Sequence, residues 1–319
     1  MPDFKNSFYT IATQIAKKNT DTEPGQLHLI DNFTSNAPIL ASMPFEKASH
    51  DRHHVYSRLM NASTMQKVDF DGVLPSMQVD TQLESVPLTP FGGKFEFGED
   101  RMFHTHHTPE SFLATLVPSV LRTTGMALEE AIYLNNFLTK TLDYGTARSV
   151  VETIPSVGKY GSMVAVTWEP GEMTGLYSPL PYGKGESFGR LFETKWLNNK
   201  MPHTLPNGVV GYAATCKIFI GLLLANKRKI ASLVNISEAP TALQLSALVN
   251  AAQSNGSTRI YTSAALKTSI AAKFATMQQG NGLVSVSSAG EVSVLGVPIV
   301  ASNNIPKDIS PVTAPFIAQ

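Results

Sequence analysis

Six of the eight histidines fall in two clusters, His50, His53 and His54, then His104, His106 and His107. Imidazole nitrogen is a common ligand of zinc and other transition metals, and a carboxylate such as Asp51 or Asp100 would complete a typical set. A β-hairpin folding the intervening chain back on itself would bring the two clusters together and give a metal-dependent enzyme. Nothing in the spacing fixes ligand geometry, because no His-Glu-x-x-His pattern sets two imidazoles one helical turn apart. The preferred reading is polar residues at the base of a loop, and no metal ligand is assigned.

Other chemistry is sought with as little return. Gly183-Lys184-Gly185-Glu186-Ser187 is Gly-rich like a phosphate loop, yet it lacks the Gly-Lys-Ser/Thr order and the strand-to-helix setting. Glu129 and Glu130 fall mid-helix, where consecutive side chains diverge by about 100° and cannot share one substrate as acid and base. A solvated or interface face is expected for them. Lys227-Arg228-Lys229 is a candidate contact for nucleic acid but reads better as a solvated hairpin turn. Cys216, the single cysteine, excludes an intramolecular disulfide and a multi-cysteine zinc site, and its apolar surroundings make it packing. The expectation is a protein that is not an enzyme and has no catalytic residue, cofactor or metal; the enzyme built on the histidine clusters is the alternative.

The composition points elsewhere. Hydrophobic residues make up 43% of the 319 and charged residues 16%, against roughly 25% charge in an average soluble domain, so much of the surface is expected to meet other protein. Lys plus Arg balances Asp plus Glu at 25 each; no overall basic field drives tight binding to nucleic acid, and any contact with DNA should be weak. The first residues lack the apolar core of a signal peptide, and the longest apolar run, Ile218 to Ala225, is too short for a bilayer. Synthesis in the cytoplasm and no membrane partner are expected.

The elements follow from periodicity and punctuation. Phe8, Ile11, Ala12 and Ile15 form a helical stripe that Asn19 to Gly25 breaks, giving a detached amphipathic arm. Leu27, Ile30 and Phe33 lead into Asn36 to Leu40 and Pro44-Phe45, expected to be extended because proline disfavours helix in the residue before it. From Val55 to Arg101 the chain reads as strands, and Pro75, Pro87, Pro90 and Gly92-Gly93 keep it out of the centre of a large sheet, so a projecting two-stranded loop is expected. Thr108 and Pro109 open the longest helix, whose stripe runs from Leu113 to Leu138 across Pro118 and Gly125, giving a kinked helix or two in series. Strands at Met163 to Trp168, Met173 to Tyr177, Cys216 to Leu224 and Ile230 to Ile236 flank turns. Helices at Thr241 to Gln253 and after Ser263 follow, then strands at Leu283 to Val286 and Val292 to Val300.

Several strings resemble the major capsid (coat) proteins of tailed bacteriophages, the HK-ninety-seven-type shell fold, in its podovirus-like subgroup. They are Leu29-Ile30-Asp31-Asn32-Phe33 through Pro44-Phe45-Glu46, Gly125 to Glu130 with Tyr133-Leu134-Asn135-Asn136, Val166-Thr167-Trp168 with Met173 to Tyr177, Phe219 to Leu222 with Val234-Asn235-Ile236, and Gly296-Val297-Pro298-Ile299-Val300. The resemblance implies an α+β fold. Residues 1–50 would be an amino-terminal arm, 51–101 an extended β-hairpin loop, 102–149 and 237–256 a peripheral domain with a long spine helix, and 150–236 and 257–319 an axial domain with the carboxy-terminal tail. It further implies self-assembly as hexamers and pentamers into an icosahedral virion capsid around double-stranded DNA, made in a bacterial host. Scaffolding protein, portal and a cement protein would be partners. Some members crosslink a loop lysine to a neighbour's asparagine. Lys67 and Lys94 are the candidates here, but the reaction needs a buried carboxylate beside the pair and no residue announces one, so no crosslink is expected.

Overall fold

The computed structural model describes residues 33–65, 67–68, 76–105, 107–151, 160–178, 192–275, 282–287 and 290–313. The amphipathic arm at Phe8 to Ile15 lies outside them. Two sheets share the core. In the first, the fifteen-residue strand Val210–Leu224 pairs antiparallel with Thr89–Gly98 along one side. Met173–Tyr177, Phe192–Trp196 and His203–Thr204 take the other side, and Phe45–Lys47 adds in parallel at the edge. Thr89–Gly98 is itself an edge strand, which is why Pro90 is tolerated in it.

The second sheet runs in the order Val284–Val286, Val292–Val294, Val297–Ser302, Thr258–Ser263, Gly161–Thr167, Ile230–Ile236, Ala147–Ser149. Its central strands are buried on both faces, so their apolar residues run on without alternation. Val164, Val166 and Tyr261 face the core that holds the long helix. Met163, Ala165 and Ile260 face the opposite cluster, with Leu245 and Val249 of helix Ala242–Ala251 and Ile270 of helix Ala264–Ala275. Thr241 and Gln244 close a capping box on the first of these helices, and the Ser263 hydroxyl accepts from Leu266 N on the second.

The turns at 169–172 and 226–229 do not close hairpins. Each passes the chain between the sheets, since Gly161–Thr167 and Ile230–Ile236 belong to the second and Met173–Tyr177 and Val210–Leu224 to the first. The two crossings lie side by side, held by Lys229 on Glu169 and Glu172 and by Asn226 Nδ2 donating to Glu172 at 2.8 Å. The run Val292 to Val300 is likewise two strands, turned at Leu295 and Gly296 with φ of 51° and 79°. Both residues in left-handed geometry make a tight turn matched to the twist of a hairpin.

A kinked helix or two in series was expected, and the helix runs without interruption from Pro109 to Asp143. Pro109–Ala131 is α-helical through Pro118 and Gly125, capped by the Thr108 hydroxyl accepting from Ser111 N, and then winds wider as a π-helix at Ile132–Leu138 before Thr139–Asp143. Pro118 removes one backbone donor without ending the helix because flanking side chains, Val117 and Leu121, are fixed in the core.

Residues 36–40 correct a second expectation, while Pro44-Phe45 leads into the strand Phe45–Lys47 as expected. Pro38–Ser42 is a turn of helix with proline at its start, the position a proline suits, and not an extended segment. Phe33, Ala37, Ile39, Leu40 and Met43 are fully buried in their own subunit, so this stretch has its partner surface at home. Gly125 makes the approach possible: a Cβ there would overlap the carbonyl oxygen of Phe33. Gly125→Ala is therefore expected to destabilise the subunit by about 1–3 kcal/mol through overpacking, despite alanine's better helix propensity. A thermal melt that matched or exceeded wild type would contradict this packing.

Candidate functional site

The projecting feature is the hairpin His53–Ala62 with Val79–Pro87, which pairs with neither sheet. Side chains alternate along Val79–Pro87. Glu84 and Val86 are half-buried toward the subunit, while Val79 and Leu83 on the opposite face are 62% and 75% exposed. Met77, in register with that face, is also exposed, as is Met65. The root is polar and fixed: Tyr56 donates to Glu84 at 2.5 Å and Arg58 at 3.0 Å. These donors hold the Glu84 carboxyl below the usual carboxylate range, the Tyr56 hydroxyl contributing most. Beneath them a cavity of about 470 Å³ separates the root from the long helix at Asn135 and Lys140.

The amphipathic surface of the long helix is the second feature. Pro109–Asp143 is apolar and long enough to cross a bilayer by length and composition alone, but only 33% of its most apolar stretch is buried. Arg122, Glu130 and Lys140 punctuate it, and its inner side packs on both sheets. Val120 and Met126 remain exposed on its outer side.

Glu129 is not on a solvated face. It is fully buried, and its carboxylate accepts from Ile39 N at 2.6 Å, from the Ser302 hydroxyl at 2.8 Å and from Asn304 Nδ2. Asn304 also donates to Asn36 O at 2.6 Å. One carboxylate thus ties the amino-terminal stretch and the carboxy-terminal strand to the long helix. Burial pushes its pKa up, against the opposing effect of the three donors. The adjacent Glu130 is exposed, as expected for a residue turned about 100° away.

The histidines form no metal centre among the described residues, where no three His, Cys, Asp or Glu side chains are grouped to hold an ion. His50 and His53 stack at 4.5 Å, His54 Nδ1 accepts from Ser49 N, and His107 pairs with Ser111. His106 lies outside the described residues, as does Gly183 to Ser187. That string overlaps a further pattern in the sequence, Gly185-Glu186-Ser187-Phe188-Gly189, the Gly-x-Ser-x-Gly of hydrolase elbows. Glu129 beside Asn304 is the buried carboxylate that the sequence did not announce. Lys94 is engaged instead with Glu96.

No family model and no curated protein matches the chain. Among solved structures, a chain of bacteriophage Epsilon15 matches with a TM-score of 0.55 at 15% identity, covering 85% of this chain and 88% of that one. The chain has the phage capsid fold. Other similar structures are a chain of the procapsid of bacteriophage JBD30, at 10% identity with 93% and 100% covered and a TM-score of 0.48, and a virus-like particle from Pyrococcus furiosus, at 11% identity with 66% and 97% covered and a TM-score of 0.38. In this capsid fold the hairpin and the outer side of the long helix are among the apolar surfaces left uncovered within the subunit.

Proposed function

We propose that the chain is the major capsid protein of a tailed phage, a structural subunit that assembles as hexamers and pentamers into the shell around packaged double-stranded DNA. The observation that carries this reading is the capsid fold shared with the Epsilon15 chain over most of both lengths. The exposed Met77, Val79 and Leu83 support it, because apolar side chains aligned on a projecting hairpin gain stability only against a neighbour. Residues 51–101 then form the extended loop with its return strand Thr89–Gly98 anchored in the first sheet. Residues 102–149 and 237–256 form the peripheral part, and 150–236 and 257–319 the axial part. Residues 1–50 form the amino-terminal arm, of which Phe33 to Met43 pack on their own subunit. Scaffolding protein, portal and a cement protein are its further partners in assembly, and synthesis is in the bacterial host cytoplasm.

Electron microscopy of the sedimenting fraction of purified chain should show hexamers, pentamers or closed shells. A strictly monomeric chain at high concentration, across salts and with scaffold present, would overturn the proposal. Particles should also run at a single subunit mass on denaturing gels. The buried carboxylate at Glu129 is spent on Ile39, Ser302 and Asn304, and among the described residues no lysine joins that set. A ladder of multiples would show a crosslink that this geometry does not provide for.

A further inference from the structure

The turn Lys227-Arg228-Lys229 divides its charges. Lys229 is consumed by Glu169 and Glu172. Lys227 and Arg228 are exposed, and the fold brings Arg148 to them from the strand Ala147–Ser149, which runs parallel to Ile230–Ile236. The three cations line a shallow, open hollow of about 370 Å³ together with Asn250 and Gln253. Among the described residues none of the three meets a carboxylate at ion-pair distance.

Two helix ends explain part of the arrangement. The long helix finishes at Asp143 and another at Ala251, and each C-terminus carries about half a negative charge. Asp143 lies close enough to Tyr144 to act on its hydroxyl but does not line the hollow. The lining of the hollow holds three full positive charges and no carboxylate, while the helix ends and the second of the two carboxylates on Lys229 add negative charge nearby. The amides of Asn250 and Gln253 add donors at the same place.

We propose that this hollow is a phosphate site through which the chain holds the backbone of nucleic acid. This rests on the capsid reading for its occupant. An open hollow rimmed by exposed Lys227 and Arg228 suits a passing polymer better than a trapped small ion, and cations and amides aimed at phosphate carry no base preference. Three cations make the binding weak and salt-dependent, as the balanced composition requires.

The test uses the full-length unassembled chain and a labelled DNA duplex of arbitrary sequence, with anisotropy measured over a series of salt concentrations. Removing one cation that neutralises a phosphate should reduce the slope of log K against log salt by about 0.9. Lys227→Gln with Arg228→Gln should lower it by nearly twice that amount, and Arg148→Gln by once. Lys307→Gln, an exposed lysine elsewhere, is the charge-matched control and should leave the slope unchanged. Because Lys227 and Arg228 sit on an exposed turn, their variants test the site even if Arg148→Gln fails to fold. An unchanged slope, or an equal reduction in the control, would overturn the proposal. So would displacement of the duplex by inorganic phosphate at equal phosphate concentration, which would mark a site for the free ion. Variants that bind DNA normally but no longer form shells would assign the cations to a subunit interface and equally overturn it. Shell formation by wild type is scored separately by microscopy, so failure of the capsid reading is distinct from failure of this site.

Discussion

Glu129→Ala is expected to cost the subunit roughly 3–5 kcal/mol, because it strands buried donors on Ile39, Ser302 and Asn304 and leaves a cavity. With an unfolding entropy of about 2 cal/mol/K per residue, a chain of this length should melt about 5–8 °C lower. Glu129→Gln keeps the shape and one acceptor but turns an amide toward those donors, so its loss should be intermediate. The effect of pH separates a carboxylate from a spacer. Burial holds the folded-state pKa above the unfolded value, so the native chain binds the proton more tightly and stability falls as pH rises between the two values. Lowering the pH from neutral through that interval should therefore stabilise wild type relative to Glu129→Gln. A difference that stays constant or shrinks on acidification would mean that the carboxylate is not desolvated as the geometry requires.

The residues around Glu129 also show where sequence reading stops. Helical spacing located the long helix and the Thr108 cap, because a cap and an apolar stripe are local signals. The same spacing set Glu129 and Glu130 apart but could not say which one faced inward. That depended on Ser302 and Asn304, more than 170 residues away. Proline rules predicted an extended segment at Asn36 to Leu40, and tertiary packing against the long helix produced a helical turn instead. The turns at 169–172 and 226–229 were legible as turns. Their passage between sheets was not, since turn chemistry sets the local reversal and not the partner of the strand that follows. Arg148 joined Lys227 and Arg228 by the same non-local route, which is why the turn alone read as solvated.

The hairpin face should decide between subunit and solvent. Val79→Ser with Leu83→Ser changes two side chains that are 62% and 75% exposed and point away from the subunit, so the melt of the unassembled chain should move by no more than about 0.5 kcal/mol. Assembly should respond very differently. Fully burying one such side chain against a neighbour is worth roughly 1.5–3 kcal/mol. Losing both would weaken each hairpin interface by about 3–6 kcal/mol, or on the order of 10²–10⁴-fold in the association constant. The root stays intact, since Tyr56, Arg58 and Glu84 lie on the other face. Light scattering against protein concentration should then show the double variant failing to form shells where wild type does. Assembly at the wild-type concentration would place this face in solvent in the shell. An unfolded variant subunit would mean that the face packs on its own chain, contrary to the exposure of Val79 and Leu83.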